Sequence, residues 1–219
     1  MLNSFKQKKN RRLPRVLSAV LIVAVLQACS AQATSPAAYQ AGGVALTQEA
    51  ADELTAVAYG LYRVLPKGTY DDVEMMRSMV TRGGDAFGTF LAYVYHGRAG
   101  ETYDTGNGDV SVTAADIDAD AVQELVTSLF GAPADFSVLP QIIGVAPAGA
   151  RYRENTLTVY MMPSTGSITH EHADVTEHED GADFTVQIIK EGAEAGTVHL
   201  FLKPAKNKYG AEIAGCEME

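Results

Sequence analysis

Apolar residues recur at spacings of three and four through the first half of the chain and at spacings of two through its last third, so helices are predicted first and strands after them. The first stripe is Leu54, Val57, Ala58, Leu61, Tyr62 and Leu65, with Thr47 placed to cap a helix and Pro66 to end it. A second helix is predicted from about Asp71, turning Val73, Met76, Met79 and Val80 inward and stopping at Gly83-Gly84. Met75, Met76 and Met79 at that spacing read as core filler and not as soft metal ligands. Residues 87–95, FGTFLAYVY, are apolar enough to be buried and fit helix and strand alike. A third helix is predicted after Asp118 as its cap, with Val122, Leu125, Val126, Leu129 and Phe130 on one face and Gly131 as its stop.

From Tyr152 onward the period is two, and 155–162, 168–179, 183–190, 197–203 and 209–216 read as strands divided by Pro, Gly and Asn-Lys turns. Helices followed by hairpin-linked strands predict an α+β fold, with N-terminal helices packed on one face of a C-terminal antiparallel β-meander. Cone-like folds with a helix-backed curved sheet are one realisation. Residues 47–219 suffice for a single domain with its own core, and no internal repeat divides them.

The N-terminus adds an address. Lys6, Lys8, Lys9, Arg11, Arg12 and Arg15 stand without an acidic residue ahead of the apolar run VLSAVLIVAVL, the layout of an export signal over 1–28. That run is far shorter than the ~20 apolar residues that cross a bilayer as a permanent helix. Leu26-Gln27-Ala28-Cys29 resembles the lipobox of bacterial lipoproteins, with Leu three places ahead of the cleavage point, a small residue just before it and Cys just after. The resemblance covers the first thirty residues and implies a lipid on Cys29, export, and attachment to the cell membrane or outer membrane facing the extracytoplasmic side. Gln27 departs from the small or branched residue usual at its place, and Ala31-Gln32-Ala33 offers an ordinary cleavage site that releases the chain instead. Residues 29–46, rich in Ser, Ala, Gln and Gly, read as a flexible tether.

Cleavage of the signal sharpens the charge. Loss of its six basic residues takes the formal charge from −10 to −16, which repels nucleic acid and anionic headgroups and draws cations. Nucleic-acid binding is set aside. With Cys29 acylated or lost, Cys216 is the remaining cysteine of two, so no internal disulfide forms and the core must carry stability. Cys216 itself reads as a small residue tucked at the end of the last strand.

The densest chemistry is THEHADVTEHED, 169–180, which holds three of the five histidines. Asp180-Gly181 is a two-residue hairpin signal that sets Glu179 opposite Ala182, pairs Val175 with Val186 and Ala173 with Ile188 on the core face, and puts His170, His172 and His178 on the polar face. On a strand, His170 and His172 stand ~7 Å apart on one side, and that register brings Glu191 across from His170. Two imidazoles and a carboxylate suit zinc or another transition metal, so His170, His172 and Glu191 are the candidate metal ligands. His178 lies about 20 Å along the strand from His172 and falls outside that set. The alternative is a solvated hairpin face.

Weaker matches occur elsewhere. Residues 104–116 resemble a calcium loop at Asn107, Asp109, Val112 and Asp116, but Thr105 stands at the first ligand position and Val110 at the required glycine. A turn at Asn107-Gly108 followed by a capping box from Thr113 to Asp116, leading into the third helix, accounts for the same residues. Asp104-Thr105-Gly106 matches the aspartic-protease triplet once, where that chemistry needs two carboxylates. His96 and His199, in or beside apolar runs, read as hydrogen-bonded structural histidines. With no catalytic constellation, an anchor and a tether favour a noncatalytic binding or interaction module for an unknown protein or small-molecule ligand. A transition-metal-binding envelope protein and an enzyme with a pocket between helices and curved sheet are the other two readings.

Overall fold

A computed structural model of the chain describes residues 38–71, 73–95, 101–104, 111–142, 146–162 and 168–219, some of them by backbone alone. The export segment, Cys29, His96, residues 105–110 and the side chain of His172 lie outside the described residues. Thr47 caps helix α1 (Gln48–Val64), its hydroxyl oxygen accepting from the Ala50 amide at 3.1 Å, and Leu65 closes the helix ahead of Pro66. Helix α2 (Val73–Arg82) stops at the glycine pair, and α3 (Asp85–Val94) settles the ambiguous apolar run as a helix. Apolar on nearly all sides, α3 is buried against α1 and against the neighbouring sheet. Helix α4 (Ala119–Phe130) starts at Asp118, whose carboxylate accepts from the Asp120 amide, and ends at Gly131 in the left-handed region. Arg77 of α2 donates its Nε–H to the Phe130 carbonyl, fixing the end of α4 to α2.

The strands are β1 (Tyr39–Ala41), β2 (Val44–Leu46), β3 (Gly68–Tyr70), β4 (Glu101–Asp104), β5 (Ser111–Ile117), β6 (Ala148–Arg153), β7 (Thr156–Met161), β8 (Ile168–His178), β9 (Gly181–Lys190), β10 (Ala193–Pro204) and β11 (Ala211–Met218). Among the described residues they form the hairpin β1-β2, a five-stranded sheet in the order β3-β11-β10-β9-β8, and a four-stranded sheet in the order β4-β5-β7-β6, with antiparallel pairing throughout. Helices α1, α2 and α4 pack on the five-stranded sheet, and α3 packs on the four-stranded one. The α+β expectation therefore holds for the C-terminal meander. Segment 155–162 does not join it, because β7 pairs with β5 and β6 and turns Leu157 and Val159 into the core.

Three local expectations are corrected. Residues Thr113 to Asp116 are strand and not a capping box: Ala114 is buried beside Tyr160, and Asp116 accepts a hydrogen bond from Thr158 at 2.6 Å. The last eight residues of the expected tether, 39–46, are the hairpin β1-β2, whose Val44 and Leu46 are buried in the core. The β8-β9 hairpin closes over Glu179 and Asp180, with His178 opposite Gly181, one step earlier than the Asp-Gly signal suggests. Gly181 is needed inside the ladder. A Cβ on it would lie 1.8 Å from the Leu202 carbonyl oxygen, and a Cβ on Gly42, in the β1-β2 turn, would lie 1.4 Å from the carbonyl oxygen of Gly181. Three backbones converge where only glycines fit.

Candidate functional site

Helices cover one face of the five-stranded sheet. Ala182, Phe184, Val186 and Ile188 of β9 and Val198, Leu200 and Leu202 of β10 are buried on the helix side. Strand alternation then turns Asp183, Thr185, Gln187, Thr197, His199 and Phe201 to the opposite face, where no helix among the described residues packs. Register fixes a row across this open face: Thr69 pairs with Glu217, Glu217 with His199, His199 with Thr185, and Thr185 with Asp174.

The row is hydrogen-bonded along much of its length. Thr69 donates its hydroxyl to Glu217 at 3.1 Å. His199 Nδ1 lies 3.3 Å from both carboxylate oxygens of Asp183 and 3.3 Å from the Thr185 hydroxyl. With the proton on Nδ1 the ring donates to Asp183, so its orientation is held by a partly buried carboxylate. Carboxylate and hydroxyl meet the same ring nitrogen. A proton relay from a nucleophile through imidazole to carboxylate needs them on opposite nitrogens, so this trio orients the imidazole and does not activate Thr185. His199 is thus a hydrogen-bonded histidine, as its sequence context predicts.

Beside the row sits an aromatic pair. The ring of His178 stacks on Phe201 with centroids 5.3 Å apart and planes 25° apart. Phe201 lies over Gly215 of the next strand, where a Cβ would come 3.2 Å from the ring and 2.9 Å from the Tyr70 carbonyl oxygen. The absent side chain lets the ring lie close to the sheet. A hollow of about 350 Å³ opens here, lined by Thr69, Asp71, His178, Asp180, Phe201 and Lys203. Lys203 stands across the ladder from Glu212.

The sequence-based ligand set is dispersed differently. A bulge between His172 and Asp174 shifts the β8 register, so His170 pairs with Ile188 and faces the helices, while His178 faces the open side. His170 stacks on Tyr59 of α1 at 4.5 Å, Tyr59 meets Tyr93 edge-on, and Arg63 lies over Tyr93 at 4.5 Å from its centroid. Burial raises the Tyr59 phenol above its ordinary value, more than the nearby Arg63 lowers it, so the phenol keeps its proton. Glu191 sits in the β9-β10 turn with φ 54°, beyond the last pair Lys190–Ala193, and is not across from His170. The backbone of His172 pairs with Val186. Among the described residues no three His, Cys, Asp or Glu side chains converge as for a metal ion.

Among the described residues, two further surface hollows and a buried thiol also offer chemistry. A cavity of about 650 Å³ lies between Phe136, Leu139, Tyr152 and Arg153 beside the exposed Ile142. A smaller one, about 300 Å³, holds Asp116, Arg151 and Arg153 on the far side of the four-stranded sheet. Cys216 is fully buried, its thiol donating to the Met76 sulfur at 3.5 Å, which is the small-residue role its position predicts. The open face was half legible in the sequence. Period-two alternation assigns Asp183, His199 and Phe201 to one side, but which side the helices leave bare follows from packing alone. No family model matches the chain, and no curated protein and no solved structure matches it.

Proposed function

We propose that the chain is a noncatalytic binding protein of the cell envelope, held at a membrane by a lipid on Cys29, and that the open face of its five-stranded sheet docks a cationic partner protein. The observation that carries the reading is that bare face. It sets Glu171, Asp174, Asp183 and Glu217 on a rigid ladder without a covering helix. Rigid strands hold charges in register, so a matching set of basic side chains meets them with little ordering cost. Carboxylates on such a face favour encounter with a cation and oppose every anionic surface. The lipobox-like Leu26-Gln27-Ala28-Cys29 supplies the address, and among the described residues no helix is long and apolar enough to cross a membrane.

Two measurements test the halves separately. Radiolabelled palmitate fed to expressing cells is expected to mark the native chain and leave Cys29→Ser unmarked; equal labelling of both removes the anchor. For the face, Glu171→Lys with Asp174→Lys is expected to weaken binding of an arginine-rich peptide by about tenfold or more. The matched pair Glu49→Lys with Asp52→Lys, exposed on α1, makes the same change in net charge and is expected to weaken it less than about threefold. Equal losses from the two pairs would mean that net charge alone attracts the peptide, and the docking face is then wrong.

A further inference from the structure

We infer that the hollow beside Phe201 is the seat on this face for an arginine side chain of the partner protein. The inference rests on the reading of the open face as a docking surface for a cationic protein and gives that surface its specific contact. Phe201 is an aromatic ring beside that polar row, half-buried where its neighbours Asp183 and His199 are hydrogen-bonded to each other. Its ring is fixed by His178 above and by the bare backbone of Gly215 beside it. A fixed ring presents a π surface without further loss of side-chain freedom on binding.

The lining chooses the ligand chemistry. Asp71 and Asp180 are both exposed and stand at the margins of the hollow, one just past β3 and one at the tip of the β8-β9 hairpin. A guanidinium is planar, stacks on an aromatic or imidazole ring, and bonds a carboxylate through paired N–H donors, so one group uses both features of the site. A compact ammonium is more strongly hydrated and lacks the fork. A metal ion finds no convergent set of three ligating side chains among the described residues. An anion meets two carboxylates, Asp71 and Asp180, against the single ammonium of Lys203. The hollow, about 350 Å³, has room for the guanidinium and part of its apolar stem.

The test uses the full chain carrying Cys29→Ser, with ring resonances of His178 and Phe201 followed by NMR. An arginine-rich peptide is expected to shift both saturably, and the same peptide with citrulline in place of arginine to bind about tenfold more weakly. Phe201→Ala is expected to lose about tenfold and Phe201→Tyr to retain binding. Asp180→Asn, an exposed turn substitution that leaves the core untouched, is expected to lose about threefold and guards against a folding defect in Phe201→Ala. Peptide binding unchanged in Phe201→Ala yet lost in the Glu171/Asp174 reversal overturns the seat and leaves the docking face standing. Binding indifferent to all of these overturns both. Saturable shifts by free propylguanidinium with no peptide binding would make the ligand a small molecule and overturn its protein source.

Discussion

Alanine at Gly181 is expected to destabilise the protein by at least about 3 kcal/mol, a large share of the ~5–15 kcal/mol by which native domains are stable. The added Cβ would meet the Leu202 carbonyl oxygen at 1.8 Å, and the carbonyl of Gly181 is itself pressed against Gly42. Backbone cannot turn aside as a side chain can. Relief requires β9 to part from β10 or the β1-β2 hairpin to lift away, and either uncovers buried Ala182, Leu46 or Leu202. Gly192→Ala is the control: that residue has φ 82° and nothing within 4 Å of its missing Cβ, so only the left-handed backbone is penalised. That penalty is about 1 kcal/mol. Urea midpoints for the two variants check the argument, and a Gly181→Ala protein as stable as Gly192→Ala refutes it.

The second large effect is alkaline. Burial pushes the Cys216 thiol from an ordinary 9.0 up to about 12, because no water reaches a thiolate between Met76 and the sheet. A group whose folded value is raised contributes stability that is complete below the unfolded value and is lost as pH rises toward the folded one. The window here runs from about pH 9 to about pH 12, and within it the unfolded chain gains about 1.4 kcal/mol per pH unit through this thiol. Cys216→Ala cannot titrate. At pH 7 the alanine variant should be less stable by about 1 kcal/mol for the packing it loses. Near pH 11 the order is expected to invert, since native protein has by then lost roughly 2–3 kcal/mol that the variant keeps. Paired denaturant titrations under reducing conditions at pH 7, 9 and 10.5 read this directly, and a stability difference that does not change with pH would refute it.

Helices were the most legible part of the chain, because their caps are local. Thr47, Asp118 and Gly131 act within four residues of themselves, and each does in the fold what it announces in the sequence. The β8-β9 register was less legible because its determinant is distant. Asp180-Gly181 carries a hairpin signal, but Gly181 is claimed by Gly42 and Leu202, residues far away in sequence. The bulge before Asp174 then turns His170 toward Tyr59, a partner that no strand periodicity reveals. Residues 155–162 read as a strand, which β7 bears out at Thr156–Met161, yet it joins a second sheet, since alternation states a strand's faces and not its neighbours. The open face shows the same limit: His199 and Phe201 are visible as members of one side, while Gly215, which seats Phe201, carries no sequence signal beyond its own smallness.

The hairpin of 39–46 also sets where the folded domain begins. Ala38 donates its amide to the Leu46 carbonyl at 2.8 Å, so 38–46 belongs to the fold and not to a linker. A truncation that starts the chain at residue 47 therefore removes Val44 and Leu46 from the core along with Gly42 from its place against Gly181, and such a protein is expected to be less stable than one that starts at residue 36.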